Sequence, residues 1–252
     1  MTRELYDSDF YADQREGSAA SAAKIVPDLL STLRPKSVVD VGCGVGTWLA
    51  AYASHGVPRY LGMDGPWARS GLLIPEASFV ECNLPRAPSL DERFDLAQSL
   101  EVAEHIPSAD APAFVALLTR LSDVVVFSAA IPRQGGTHHI NEQWPSYWQS
   151  LFATHGYRMY DAFRSRYWDQ ADVEWWYSQN MFLYVKEGTP VPPELEAFAG
   201  WVLPAKVVHP RRLEPPWNRR GVKQLVRELP PAVANATGRR VDRLVRAITR
   251  RM

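Results

Sequence analysis

The stretch V-V-D-V-G-C-G-V-G-T-W-L at residues 38–49 determines the fold of this chain. Its β-branched residues predict a buried strand, and the alternate glycines Gly42, Gly44 and Gly46 predict a turn too tight for side chains. The apolar residues that follow predict a helix that begins directly after the turn, with its backbone N–H groups available to a ligand. Glycine-rich strand–turn–helix units occur in several classes of nucleotide-binding protein, so the turn alone does not identify its ligand.

Short apolar runs alternate with helical patterns around this stretch. Such alternation predicts an α/β fold in which helices cover both faces of a mostly parallel sheet. We expect a Rossmann-like domain with seven strands over residues 1–187, in which residues 1–34 form an N-terminal cap. The predicted strands are residues 38–41, 59–64, 78–81, 94–100, 124–129, 157–163 and 181–186. The predicted helices are residues 21–33, 47–54, 111–121 and 146–155.

The composition changes after residue 187. Prolines cluster there, at Pro190, Pro192, Pro193, Pro204, Pro210, Pro215, Pro216, Pro230 and Pro231. Residues 1–205 hold 15 Lys or Arg against 25 Asp or Glu, whereas residues 206–252 hold 13 against 3. Residues 188–252 are therefore predicted to be a Pro-rich linker that ends in a basic amphipathic helix. That helix would dock on the domain or on a second copy of the chain, giving a homodimer, or contact an anionic membrane surface or an acidic partner.

Composition also restricts the compartment and the partners. The two cysteines, Cys43 and Cys82, do not suggest a disulfide framework, which favours a reducing compartment. The N-terminal residues lack the apolar core of a secretion signal, and no apolar run is long enough to span a bilayer. We therefore expect a cytoplasmic protein. Nucleic acid is a less favoured partner, because the domain is acidic and the basic tail lacks interleaved aromatic residues.

Polar residues close the first three predicted strands. Asp40 precedes the glycine turn, where its carboxylate can face a cationic group. Asp64 ends the second strand and is placed to bond both hydroxyls of a ribose. Asn83 follows the third strand, where it can bond an adenine edge. Because the turn has no lysine or arginine for a phosphate, these residues favour a nucleoside with a positively charged amino-acid arm over a pyrophosphate.

The motifs around the turn resemble those of class I S-adenosylmethionine-dependent methyltransferases. The resemblance includes residues 38–49, the segment Y-L-G-M-D-G-P-W and the segment F-D-L-A-Q-S-L-E-V-A-E-H-I-P at residues 94–107. It covers roughly residues 6–186, although Asn83 stands where many relatives have aspartate. The resemblance implies S-adenosylmethionine as the cofactor, with a binding set that consists of Asp40, Gly42, Gly44, Gly46, Asp64, Asn83, Leu84 and Ser99.

The machinery for the methyl acceptor is expected beside the carboxyl ends of strands four and five. There the sequence E-V-A-E-H brings Glu101, Glu104 and His105 close together, and His139 follows on the next loop. A helical turn would put both carboxylates on one face, where they repel each other unless a cation or a proton lies between them. Two carboxylates and two imidazoles form a ligand set suited to Mg²⁺ or Mn²⁺. His138 competes with His139 for the fourth position.

An E-x-x-E-H sequence with a later histidine is similar to the metal-dependent O-methyltransferases of ubiquinone biosynthesis and to small-RNA 2′-O-methyltransferases. In those families the metal holds the acceptor oxygens and lowers the pKa of the hydroxyl. The resemblance implies catalytic roles for Glu104, His105 and His139, with Glu101 as a further metal ligand. Two alternatives to the metal remain open. In one, His105 acts as a base without a metal, and in the other it only caps a helix.

Aromatic residues are concentrated late in the domain, where 14 of the 28 in the chain lie between Trp144 and Tyr184. The segments H-I-N-E-Q-W-P-S-Y-W and W-Y-S-Q-N-M-F-L-Y-V resemble a branch of these methyltransferases associated with glycan and polysaccharide biosynthesis. Aromatic faces stack on sugars as well as on bases and phenols. The resemblance predicts O-methylation of a sugar or oligosaccharide hydroxyl. The alternatives are a phenolic or polyketide acceptor, a 2′-O-RNA methyltransferase, a non-catalytic cofactor-binding protein, and aromatic residues that only pack a lid or a dimer contact.

Overall fold

Seven strands form one mixed sheet in the part of the chain that the computed structural model describes, residues 8–84, 87 and 90–213. In chain order they are β1 (Ser37–Val41), β2 (Arg59–Asp64), β3 (Phe79–Glu81), β4 (Leu96–Leu100), β5 (Val124–Ser128), β6 (Tyr157–Tyr160) and β7 (Phe182–Lys186). Their order across the sheet is β3-β2-β1-β4-β5-β7-β6. Strand β7 runs antiparallel to both of its neighbours, and the other pairs are parallel. The predicted Rossmann-like sheet of seven strands is confirmed.

Helices cover both faces of this sheet. They are α1 (Ser8–Leu33), α2 (Thr47–Ser54), α3 (Ala111–Leu121), α4 (Pro145–Ala153), α5 (Arg164–Tyr167), α6 (Trp175–Asn180) and α7 (Pro193–Glu196). Successive side chains of the buried strand β1 point to opposite faces of the sheet and pack in different hydrophobic clusters. Val38 packs in a cluster with Ile25 of α1 and Trp48 of α2. Val39 packs in a second cluster with Phe114 of α3.

Two elements differ from their predicted limits by more than two residues. The first helix begins at Ser8 instead of residue 21, and its alanine-rich middle has the propensity to continue a helix. Strand β6 ends at Tyr160 instead of residue 163. It ends there because the next residue, Asp161, turns into the interior and forms a buried ion pair with Arg164 at the start of α5.

Residues beyond β7 pack along the edge of the sheet next to β6. Asp161 donates its backbone N–H to the carbonyl of Phe198 at 2.8 Å. The carboxylate of Asp161, already paired with Arg164, also accepts the N–H of Leu203 at 2.9 Å. These contacts cover the strand edge, which would otherwise expose unpaired backbone groups. The first compact unit of the chain extends to His209, past the predicted end of the domain.

A second unit begins at Pro210, and of this unit the short helix α8 (Pro210–Leu213) is described. The predicted basic amphipathic helix lies outside the described residues. Its docking on a second copy, a membrane surface or an acidic partner therefore stays a prediction, as does the cytoplasmic location. None of the helices in the described ranges has the length and apolar character that crossing a bilayer requires.

Candidate active site

The glycine turn after β1 forms an open cradle of backbone groups. Gly42 (φ 85°) and Gly44 (φ 53°) adopt left-handed conformations that side chains disfavour. A β-carbon on Gly42 would also lie 2.3 Å from the side chain of Val102. A β-carbon on Gly44 would meet no atom within 4 Å, and Gly46 is the N-cap of α2. The turn therefore fits a ligand that touches the backbone at its middle glycine.

Asp64 at the end of β2 is tied to this cradle. Its carboxylate accepts N–H bonds from Gly44 at 2.7 Å and from Gly65 at 2.6 Å. Burial raises the pKa of Asp64, and the bonds from Gly65, Gly44 and Trp67 counteract the rise. Each carboxylate oxygen keeps a second lone pair, so Asp64 can still accept hydrogen bonds from two ligand hydroxyls. This placement is compatible with the predicted role on a ribose.

Asp40 lies inside β1 and is almost completely buried. Gln98 of β4 donates to its Oδ2 atom at 3.2 Å, and Tyr52 of α2 donates to Gln98 at 3.1 Å. Burial raises the pKa of Asp40 to about 8, while the bond from Gln98 lowers it and the charge of Asp64 raises it further. A neighbouring cation would favour the ionised carboxylate. Asp40 is therefore suited to a positively charged ligand, which is the role predicted for it.

The other predicted cofactor residues differ in their exposure. Asn83 and Leu84 follow β3, and the former is exposed whereas the latter is half-buried. The preceding residue, Cys82, donates its N–H to the carbonyl of Asp64 at 2.8 Å and keeps this segment beside β2. Ser99 is fully buried in β4, and its hydroxyl donates to a carbonyl of β1 at 2.8 Å. Ser99 therefore links two strands, and the contacts of these residues with a cofactor stay predictions.

Glu101 directly follows β4 and is held by amide groups from two later segments. Its carboxylate accepts hydrogen bonds from Gln134 at 2.8 Å and from Asn180 at 3.1 Å. Burial raises the pKa of Glu101 to about 7, and bonds from Asn180, Ser128 and Gln134 lower it. The φ angle of Glu101 is 54°, a conformation that costs energy for a residue with a side chain. The bonds fix the position of this carboxylate.

Glu104 lies in the short 3-10 turn Ala103–His105 and has a different environment. Its side chain is completely buried, and neither carboxylate oxygen accepts a hydrogen bond of normal geometry from a described residue. Burial, and then the charge of Glu101, raises the pKa of Glu104 well above its usual value, although the backbone amides of Glu104 and Ala130 counteract the rise. A buried carboxylate without partners is costly unless a proton or a cation accompanies it.

Two histidines lie beside this carboxylate, and each is held by its Nδ1 atom. Nδ1 of His105 bonds the carbonyl of His138 at 3.2 Å, and Nδ1 of His139 bonds Oε1 of Glu142 at 3.0 Å. Because these partners accept hydrogen bonds, we assign the hydrogen of each ring to Nδ1 and the lone pair to Nε2. Burial, and then the neighbouring His139, lowers the pKa of His105 to about 4. His105 is therefore neutral at pH 7.

These residues form a compact group of metal-ligating side chains. One ligand atom each from Glu104, His105 and His139 lies within 4.8 Å of the others. A buried carboxylate without a partner and two imidazoles with oriented lone pairs fit a divalent cation. Glu101, the fourth predicted ligand, lies outside this group. His138 contributes its carbonyl to the site, whereas its side chain is exposed, so the structure favours His139 over His138.

Four residues that support the site are absent from the predicted set of site residues. Gln98 bonds Asp40 from a neighbouring strand. Gln134 and Glu142 belong to the loop between β5 and α4 that carries His139, and Asn180 ends α6 in the insertion between β6 and β7. Glu142 and Asn180 lie in the segments H-I-N-E and W-Y-S-Q-N, which the sequence analysis singles out. The sequence does not reveal that these two side chains bond His139 and Glu101.

Many of the late aromatic residues belong to the core. Trp148, Phe152 and Tyr184 are buried together, and the rings of the last two stack at 3.9 Å. Tyr177 is buried as well, with its hydroxyl 3.0 Å from Oγ of Ser18, which joins α6 to α1. The half-buried aromatic side chains that remain as candidates for acceptor stacking are Trp144, Tyr147, Trp168 and Trp176.

Comparison with known proteins identifies the family. A family model described as a methyltransferase domain matches residues 11–180. This chain belongs to the methyltransferase-domain family. An uncharacterized methyltransferase of Mycobacterium leprae (strain TN) is 35% identical to it over 112 residues, which cover 40% of this chain and 41% of the relative. One from Mycobacteroides abscessus is 31% identical over 83 residues, which cover 30% of this chain and 32% of the relative. The matches therefore span less than half of the length of these relatives.

Solved methyltransferase structures share the fold of this chain. S-adenosylmethionine-bound CalS10, an amino pentose methyltransferase from Micromonospora echinaspora involved in calicheamicin biosynthesis, has a TM-score of 0.55 and 16% identity, covering 74% of this chain and 100% of that chain. The sugar N-methyltransferase KedS8 from Streptoalloteichus has a TM-score of 0.56 and 15% identity, covering 74% and 95%. The first of these structures contains bound S-adenosylmethionine, as its name states. The predicted class I methyltransferase fold is confirmed.

Proposed function

We propose that this methyltransferase transfers a methyl group from S-adenosylmethionine to a hydroxyl group of a sugar or oligosaccharide. The observation that carries the proposal is the buried carboxylate of Glu104, which has no hydrogen-bond partner among the described residues and lies beside His105 and His139. Two proteins of the same fold, CalS10 and KedS8, carry names that state a sugar acceptor. They support a sugar as the acceptor, whereas the name of KedS8 states transfer to nitrogen, so the proposed oxygen acceptor rests on the group around Glu104.

The methyl donor would bind along the carboxyl ends of β1, β2 and β3. The glycine turn would receive its amino-acid arm, Asp40 would face its positive charge, and Asp64 would bond its ribose. Asn83, Leu84 and Ser99 would line the remainder of the cofactor site. Methyl transfer from a sulfonium is an in-line displacement, in which the new bond to oxygen forms as the carbon–sulfur bond breaks. The protein must therefore align the acceptor oxygen and accept its proton.

Glu104, His105 and His139 would hold a divalent cation beside the acceptor. When bound, such a cation lowers the pKa of a hydroxyl group that touches it. Sugar hydroxyls have a high pKa and are protonated at neutral pH, so a cation that lowers this pKa would assist the loss of the proton. Of the two predicted ions, Mn²⁺ accepts imidazole nitrogen more readily than Mg²⁺, and the three-residue group contains two imidazoles.

A metal-free mechanism is the second candidate, and the 3.9 Å between Oε1 of Glu104 and Nε2 of His139 favours it. In this mechanism His139 would accept the proton of the hydroxyl, and Glu104 would stabilise the imidazolium that results. His105 would be a weak base, because burial lowers its pKa to about 4. A phenolic or polyketide hydroxyl stays an alternative acceptor, since half-buried aromatic side chains stack on phenols as well as on sugars.

The acceptor is tested with the purified full-length chain, isotopically labelled S-adenosylmethionine and a panel of sugars, amino sugars, oligosaccharides, phenols and RNA. We expect the label on an oxygen of a sugar acceptor, located by mass spectrometry and NMR. Transfer to phenols alone, to amines alone or to RNA alone would contradict this proposal.

The metal is tested by exhaustive chelation of the same preparation. Turnover is expected to disappear on chelation and to return when Mn²⁺ or Mg²⁺ is added back. Undiminished turnover after chelation would reject the metal and leave His139 as the base.

A further inference from the structure

Glu142 lies at the end of the loop that carries His139, residues 133–142. Its Oε1 atom bonds Nδ1 of His139 at 3.0 Å and accepts the backbone N–H of Gly135 at 2.7 Å. Its Oε2 atom accepts the backbone N–H of Arg133 at 2.6 Å. Three donors of one loop therefore converge on a single carboxylate, whose side chain is only 18% exposed.

The same loop also contacts the second histidine of the site, His105, which lies on a different segment. The carbonyl of His138 bonds Nδ1 of His105 at 3.2 Å. His138 has a φ angle of 60° and Arg133 one of 67°, conformations that persist only where surrounding contacts impose them. The hydrogen bonds that the backbone N–H groups of Arg133 and Gly135 donate to Glu142 are such contacts. Glu142 therefore acts on His139 directly and on His105 through the loop.

Because Gly136 has no side chain, the ring of His139 occupies the space beside it. A β-carbon on Gly136 would be 2.2 Å from Nε2 of His139, which is closer than two such atoms can approach. The imidazole is thus confined by Gly136 near Nε2 and bonded by Glu142 at Nδ1. Together these two residues determine how the ring is oriented.

We infer that Glu142 is a positioning residue of the acceptor site. It fixes His139 as the Nδ1–H tautomer, with the lone pair of Nε2 available toward Glu104. It also holds the loop whose His138 carbonyl does the same for His105. The inference rests on the proposed function, in which the imidazoles and Glu104 serve methyl transfer. Loss of a partner that orients a ligating histidine lowers metal affinity roughly 10–100-fold.

The tautomer of His139 gives a test that needs neither metal nor acceptor. In long-range ¹H–¹⁵N spectra of the labelled full-length chain, we expect the Nδ1–H tautomer of His139. Glu142→Ala is expected to populate the Nε2–H tautomer, and Glu142→Gln, which keeps one acceptor oxygen, is expected to have a smaller effect. The matched control is Glu196→Ala, which removes an exposed carboxylate paired with Arg158 and should leave the spectrum of His139 unchanged.

Binding of Mn²⁺, followed by electron paramagnetic resonance of the free ion, is the second readout. Glu142→Ala is expected to weaken Mn²⁺ binding roughly 10–100-fold and to leave the affinity for S-adenosylmethionine unchanged. Gly136→Ala should also weaken Mn²⁺ binding, because it displaces His139 while Glu142 remains. Thermal unfolding shows whether each variant folds, and Glu142→Gln carries the test if Glu142→Ala does not fold.

An unchanged tautomer of His139 in folded Glu142→Ala would overturn the inference, whatever the acceptor assays show. An equal loss of affinity for S-adenosylmethionine would overturn it as well, because it would indicate general damage. A changed tautomer together with a wild-type chain that binds no Mn²⁺ would support the positioning role and contradict the proposed metal.

Discussion

Asp64 and Glu104 are both buried carboxylates near the carboxyl ends of parallel strands, but their surroundings differ. Asp64 accepts two backbone N–H bonds, one from Gly44 in the glycine turn and one from Gly65. Glu104 accepts none from the described residues. The proposed methyl-donor side of the site, which is the glycine turn and Asp64, is thus organised by its own backbone. The proposed acceptor side, which is Glu104, His105 and His139, contains a buried polar group that needs a proton or a cation. In the proposed function, the donor side follows from the shared fold, and the acceptor side determines which group is methylated.

The largest expected effect comes from Glu104→Gln, which keeps the shape of the side chain and removes its charge. Methyl transfer should fall on the order of 10²–10⁴-fold, because proton removal from the acceptor loses its support. The free energy of unfolding should stay the same or rise, since a buried carboxylate without partners is replaced. Steady-state kinetics and chemical denaturation measure the two effects.

The matched variant on the donor side is Asp64→Asn. It should raise the KM for S-adenosylmethionine and leave kcat at saturating cofactor much less affected, because Asp64 is assigned to cofactor binding alone. Full activity of Glu104→Gln, or an equal loss of kcat in both variants, would contradict the assignment of Asp64 to cofactor binding and of Glu104 to the acceptor.

A smaller effect is expected at the glycine turn. Gly42→Ala would place a β-carbon 2.3 Å from Val102 at a φ angle of 85°, so the free energy of unfolding should fall by about 1–3 kcal/mol. Gly44→Ala meets no protein atom within 4 Å and should cost only about 1–2 kcal/mol of backbone strain. Its main effect should be weaker cofactor binding, measured by calorimetry. Normal cofactor affinity in Gly44→Ala would show that the ligand does not lie over this residue.

The smallest expected effect is the pH dependence contributed by Asp40, whose pKa burial raises to about 8. Between about pH 4, where the unfolded carboxyl ionises, and pH 8, the folded state keeps a proton that the unfolded state has lost. Stability should therefore be greatest below pH 4 for this group and should decrease up to pH 8. Asp40→Asn should remove this decrease and raise the Tm at pH 8 by at least roughly 2–4 °C, about 1 kcal/mol. An unchanged pH slope in Asp40→Asn would contradict the assignment.

The position of the proposed cofactor residues in the fold can be predicted from the sequence because its determinants are local. Asp40 lies one residue before the end of β1, the glycines follow β1 and Asp64 ends β2, and the carboxyl ends of parallel strands meet at one edge of the sheet. The acceptor side is predicted only in part. Glu104, His105 and His139 come together as the spacing suggests, but the turn at Glu101 has a φ angle of 54° that the motif does not reveal. A helical-face argument cannot anticipate that change of direction.

Residues that support the acceptor side come from distant parts of the chain. Asn180 reaches Glu101 across 79 positions, and Gln134 reaches it across 33. Glu142 lies only three residues from His139, yet their bond depends on a loop with unusual backbone angles. Periodicity and propensity describe single elements, so contacts between loops of this kind follow only from the folded structure.

The most direct test of the central claim is a crystal structure of the full-length chain grown with demethylated cofactor and Mn²⁺, with anomalous diffraction measured for manganese. We predict a manganese peak within ligating distance of Glu104, His105 and His139, and a glycine turn and Asp64 that receive the cofactor without rearrangement. A manganese-free site, in which the carboxyl group of Glu104 is protonated and hydrogen-bonded to His139, would contradict the claim that the acceptor side is built for a cation.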